Sequence, residues 1–91
     1  MKEDREYIVR YLAQNTLEDD AIKILKELRK GKIPIKRIFG RTKCFTVITG
    51  KTEKNLPEMQ WILEKAHVGG MFHVIIEGYE GAEEYEENEK I

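Results

Sequence analysis

The stretch from Thr16 to Gly31 constrains the fold of this chain most. Thr16 is a helix-capping residue type, and Asp19 three positions later makes a capping-box pattern with the shorter carboxylate. Glu18, Asp19 and Asp20 occupy the first turn, where the positive end of the helix dipole favours anions. Leu17, Ala21, Ile24, Leu25 and Leu28 recur at helical spacing, Arg29 and Lys30 complement the negative end, and Gly31 stops the run. A helix with one apolar stripe needs a second layer to cover it, and the rest of the chain has to supply that layer.

The neighbouring segments are read by period and punctuation. Tyr7, Ile8, Tyr11 and Leu12 fall at i, i+1, i+4 and i+5, which predicts a first helix from about Asp4 to Asn15. Ile33 to Phe39 is β-branched, with Pro34 placing the strand start there or the strand at a sheet edge. Gly40-Arg41-Thr42 makes a short turn into a second strand, Lys43 to Thr49, so the pair reads as a hairpin with a basic tip. Asn55 caps a third helix with Pro57 in its first turn, Met59, Ile62, Leu63 and Ala66 facing inward, and Gly69-Gly70 ending it. Met71 to Gly78 holds the contiguous apolar run Val74-Ile75-Ile76, as a covered central strand would.

The expectation is an α+β fold: a two-layer α/β sandwich in α-α-β-β-α-β order, with a three-stranded, mainly antiparallel sheet. The last strand is expected to pair antiparallel with Ile33–Phe39, completing a split β-α-β arrangement. A winged helix is excluded, because Gly31 and Pro34 leave no room for a third helix before the hairpin. Residues 1–79 are read as one domain and 80–91 as an acidic C-terminal tail. At 91 residues the chain is near the lower end of what one core supports unaided.

The absence of a long apolar run or a signal-like start, together with the lone Cys44, predicts an intracellular, cytoplasmic protein without an intramolecular disulfide. Serine is absent and Lys and Glu are abundant, a composition typical of hyperthermophile proteins.

The charges are sorted by position. Residues 23–54 carry eleven cations against Glu27 and Glu53, a formal +9. Residues 55–91 set Lys65 and Lys90 against nine glutamates, and residues 1–22 sum to −3, so the total is −1. A concentrated basic segment is the electrostatic footprint of a polyanion binder. On the second helix Lys23, Lys26 and Lys30 lie opposite the leucines, while Lys36, Arg37, Arg41 and Lys43 surround the hairpin turn. These seven are the candidate nucleic-acid contacts, DNA or RNA, with Phe39 and Phe45 available to stack on unpaired bases. Against this stands the ordinary reading, in which an outer helix face is simply charged and both phenylalanines are core.

A protein–protein interaction or inhibitor module is the alternative. The helical step places Trp61 and Val68 opposite the inward residues of the third helix, where a tryptophan suits a binding hot spot or a homodimer contact. The acidic tail would then mimic nucleic acid toward a basic partner, or fold back on the basic surface, or only solubilise the chain. A metal-independent nuclease is a distant third. His67, His73, Glu77 and Cys44 match no regular metal or catalytic spacing. No catalytic residue, metal or cofactor is therefore assigned, and no membrane partner is expected.

Overall fold

The computed structural model describes residues 4–14 and 17–78; the expected Thr16 cap and the tail 80–91 lie outside the described residues. The elements are β1 (Tyr7–Leu12), α1 (Leu17–Lys30), β2 (Ile35–Gly40), β3 (Cys44–Thr49), α2 (Leu56–Glu64) and β4 (Met71–Ile76). The strands form one four-stranded sheet in the order β2-β3-β1-β4, and every neighbouring pair is antiparallel. This is the split β-α-β, ferredoxin-like topology. The fold is α+β, with both helices on one face of the sheet.

The first element corrects the sequence reading: it is a strand, so the order is β-α-β-β-α-β and the sheet has four strands instead of three. Tyr7, Ile8, Val9 and Tyr11 are β-branched or aromatic, types that fit a pleated surface. β1 is central, so Tyr7, Val9 and Tyr11 are buried on one face and Ile8 on the other. Burial on both faces erased the alternation that marks a strand, and the remaining pattern imitated a helix. The error carried over to the last strand. β4 pairs with β1 across Tyr7↔Ile76 to Leu12↔Met71, not with β2, and it is an edge strand, not a central one.

α1 occupies the expected range, and its end forms a Schellman motif. The Ile33 N–H donates to the Leu28 carbonyl and the Lys32 N–H to that of Arg29, each at 3.0 Å. The left-handed residue is Lys32, with φ 59°, not Gly31. Gly31 instead permits close approach to α2, since a Cβ there would lie 2.9 Å from Ile62 Cδ1. α2 starts with a complete capping box. The Glu58 N–H donates to Asn55 Oδ1 at 2.9 Å, and the Asn55 N–H donates to Glu58 Oε1 at 3.2 Å. The helix ends at Glu64, short of the expected Gly69-Gly70, because His67 turns the chain with φ 52°.

Between the sheet and helices lies the main core: Tyr7, Val9, Tyr11, Phe45 and Val47 from the strands meet Ile24, Leu28, Met59 and Leu63 from the helices. Tyr11 ties three elements together. Its hydroxyl donates to Asp20 Oδ2 at 2.7 Å and accepts from the Gly70 N–H at 2.8 Å, while its ring packs 4.8 Å from that of Phe72. Gly70 must lack a side chain here, since a Cβ would sit 2.6 Å from the Tyr11 hydroxyl oxygen and overlap the Leu12 carbonyl. Burial, reinforced by the hydrogen bond to Asp20, pushes the Tyr11 phenol up to about 12. Burial likewise raises Tyr7.

Candidate nucleic-acid interface

Seven cations were singled out by position, and the fold exposes all of them: Lys23, Lys26 and Lys30 on α1, Lys36 and Arg37 on β2, Arg41 and Lys43 in the hairpin turn. The physical cause differs by element. On α1 the buried stripe of Ile24 and Leu28 turns the lysines outward. On β2 the edge position leaves the side chains toward solvent, and a register shift between Ile35 and Arg37 puts a bulge at Lys36. The turn is Arg41–Lys43, with the Arg41 N–H donating to the Cys44 carbonyl at 2.7 Å, and Gly40 belongs to the strand.

The stripe and the hairpin tip do not meet at one point. The Ala13 N–H donates to the Lys43 carbonyl at 2.8 Å, which pins the tip beside the end of β1, where α1 is about to begin. Lys30 lies at the far end of α1, about 20 Å away along the axis at roughly 1.5 Å per residue. α1 packs against β3, the inner strand of the hairpin, and α2 against β4. Lys23, Lys26 and Lys30 lie on the helix layer, whereas Arg37 shares with Phe39 the sheet face away from it.

Lys30 pairs with Glu27 at 3.4 Å and Lys36 with Glu6 at 3.5 Å among the described residues. Among the described residues, the side chains of Lys23, Lys26, Arg41 and Lys43 enter no ion pair or hydrogen bond. The Arg37 guanidinium stacks on the Phe39 ring at 4.8 Å to its centroid, and Phe39 is half-buried. Phe45 follows the ordinary reading and not the stacking one: it points to the helices and is core.

Sequence reasoning does not place Arg10 and His73, which the sheet brings into line with Phe39. The register aligns His73, Arg10, Thr46 and Phe39 in one row across all four strands, on the face away from the helices. Arg10 Nε donates to Cys44 Sγ at 3.3 Å on the same face. Reading residues 7–12 as a strand would have exposed this row, because Ile8, Arg10 and Leu12 then share a face.

Trp61 lies on the outer side of α2, 61% exposed, with Lys65 Nζ 3.6 Å above its ring. Val68 does not accompany it. The helix has ended by then, and Val68 turns inward and packs against the core. His67 sits in the turn after α2 and His73 on β4; among the described residues no group of three or more His, Cys, Asp or Glu could hold a metal ion. A cleft of about 420 Å³ opens between the start of β1 and the end of β4, lined by Arg5, Glu6, Lys51 and Glu77, and its mixed charges define no catalytic set. Among the described residues no helix is long and apolar enough to cross a membrane. No protein-family model, curated protein or solved structure matches the chain. The topology hosts many unrelated activities, so function has to be argued from the surface alone.

Proposed function

We propose that this chain is a small cytoplasmic nucleic-acid-binding domain that grips backbone phosphates with the cations of α1 and the hairpin, without a cofactor. The observation that carries the reading is the exposure of Lys23, Lys26, Arg41 and Lys43 without a partner among the described residues. Cations left unneutralised by the fold are the ones that release counterions when a polyanion binds. The Arg37–Phe39 stack lies on the sheet face away from α1 and would offer a separate platform for an unpaired base. Fluorescence anisotropy with single- and double-stranded oligonucleotides at low salt tests the reading. Binding should be sequence-tolerant, and replacing the four cations by glutamine should weaken it at least about tenfold. Absence of binding at tens of micromolar protein removes the proposal.

The exposed indole of Trp61 favours a second reading, a protein-interaction module. Leaving it in water forgoes burial that exceeds several times the contribution of one methylene, about 0.8 kcal/mol. On that reading Trp61→Glu shifts a dimer toward monomer in sedimentation while circular dichroism is unchanged. A wild-type chain that sediments as a monomer at all concentrations removes the homodimer.

A further inference from the structure

The two edges of the sheet are guarded differently. At β2, Pro34 precedes the strand, Lys36 sits in a bulge and Arg37 follows it, devices by which a sheet edge repels another strand. β4 has none of them. Met71 to Ile76 contains no Lys, Arg, Asp, Glu or Pro, and it pairs with β1 without a register break from Leu12↔Met71 to Tyr7↔Ile76. The same ladder fixes which backbone groups this edge presents. The Glu77 N–H donates to the Glu6 carbonyl at 2.8 Å, so by alternation Met71, His73 and Ile75 turn their N–H and C=O groups toward β1. Phe72, Val74 and Ile76 turn theirs outward, and among the described residues no hydrogen bond takes those groups. The outward run starts at Phe72, because the Gly70 N–H is already given to the Tyr11 hydroxyl at 2.8 Å.

We propose that β4 is a dimerisation edge, on which a second copy of this chain lays its own β4 antiparallel. The outward residues are self-complementary about Val74. A two-fold axis there sets Val74 against Val74 and Phe72 against Ile76, so each outward N–H meets an outward C=O. The faces match as well, since Phe72, Val74 and Ile76 all pack toward the helix layer and Ile75 away from it. Charge agrees with a copy as partner, because an uncharged run laid on itself brings no like charges opposite. The guarded β2 edge then stops further growth, so association closes at two chains and not in a ribbon. A strand seam alone is narrow against the roughly 1,200 Å² that a stable interface buries. A cleft of about 360 Å³ between α2 and β4, lined by Gln60, Leu63, Glu64, Phe72 and Val74, lies beside the seam, and the axis brings both copies' clefts together. This contact is separate from Trp61 on the outer side of α2. The hairpin lies at the other end of the strand order, so pairing through β4 leaves its cations uncovered.

Sedimentation and amide hydrogen exchange of the full chain, without nucleic acid, test this. The chain should sediment as a dimer at about 100 µM, with the Phe72, Val74 and Ile76 amides as protected as those of His73 and Ile75. Val74→Pro removes an outward donor and no bond to β1, so it should weaken association about tenfold or more with circular dichroism unchanged. Should that variant fail to fold, Met71 decides. Its side chain is 74% exposed and in this register stands opposite Glu77 of the second copy. Met71→Glu should therefore weaken the dimer about threefold or more, and Met71→Lys should not. Equal effects of the two charges overturn the proposal, as does a wild type that is monomeric at about 100 µM. In such a monomer, slow exchange at Phe72, Val74 and Ile76 would show the edge taken within the chain, and fast exchange would leave it to a foreign strand. A dimer that Trp61→Glu dissociates and Val74→Pro does not also overturns it, since the contact would then lie on α2.

Discussion

The two faces of the sheet come from the same four strands and differ in what fills them. Toward the helices, Tyr7, Val9, Tyr11, Phe45 and Val47 build an apolar core. On the other side the alternate positions hold Ile8 and Ile48 in a frame of Arg10, Thr46, Cys44, Arg37 and His73. The first face needs only apolar volume, and helices supply the cover. The second sets Arg10, Arg37 and His73 around an apolar centre. The apolar core and the mixed polar face are thus written on alternate residues of the same strands.

The largest effects test whether both faces are core. Leu28→Ala on the helix side should cost about 3 kcal/mol, within the range for buried leucine truncation. Ile48→Ala on the far side should cost about 2–4 kcal/mol, because the residue is equally enclosed. A urea-unfolding difference below about 1 kcal/mol for Ile48→Ala would mean that this face is open to water, and the comparison would fail.

Tyr11 sharpens the helix-side account through pH. Its folded value lies above the ordinary phenol value of 10, at about 12, so folding holds the phenol protonated. The stability this contributes is whole below about pH 10 and is lost as pH rises toward about 12. Tyr11→Phe should lower stability by about 1–2 kcal/mol at neutral pH, through the lost bond to Asp20 and the unsatisfied Gly70 N–H. The variant should then lose less than wild type between about pH 9 and pH 11.5, measured as urea midpoints. Parallel curves would show that the hydroxyl contributes nothing specific.

Lys32 gives the smallest effect and belongs to neither face. A non-glycine residue at the left-handed C′ position is strained, so Lys32→Gly should raise stability by about 0.5–1 kcal/mol after the added unfolded-state entropy. Thermal unfolding checks this, and a lower midpoint would show that the Lys32 side chain makes a stabilising contact.

What could be read from the residues depended on how locally each element declares itself. α1 and α2 announce their ends through charge placement, Asn55 and Pro57, all local signals. The hairpin shows itself as two β-branched runs around a glycine. β1 was illegible because a strand buried on both faces has no alternation, and its central position is set by β3 and β4, remote in sequence. The place of β4 depends on the same information. The candidate residues divide along the same line: the cations of α1 and the hairpin are visible as a run, whereas Arg10 and His73 come beside Phe39, on the face away from the helices, only through strand register. Val68 was misplaced because a helical step was extended beyond Glu64, where the helix stops.

Phosphate binding by the cations of α1 and the hairpin, as proposed, should be read in the salt dependence of oligonucleotide affinity. With Lys23, Lys26, Arg41 and Lys43 engaged, log affinity should fall against log salt with a slope of about −3 on single strands and nearly −4 on duplex. Each cation replaced by glutamine should reduce the slope by about 0.7–0.9. A slope near zero, or one that the four substitutions leave unchanged, would show that these cations do not bind phosphate.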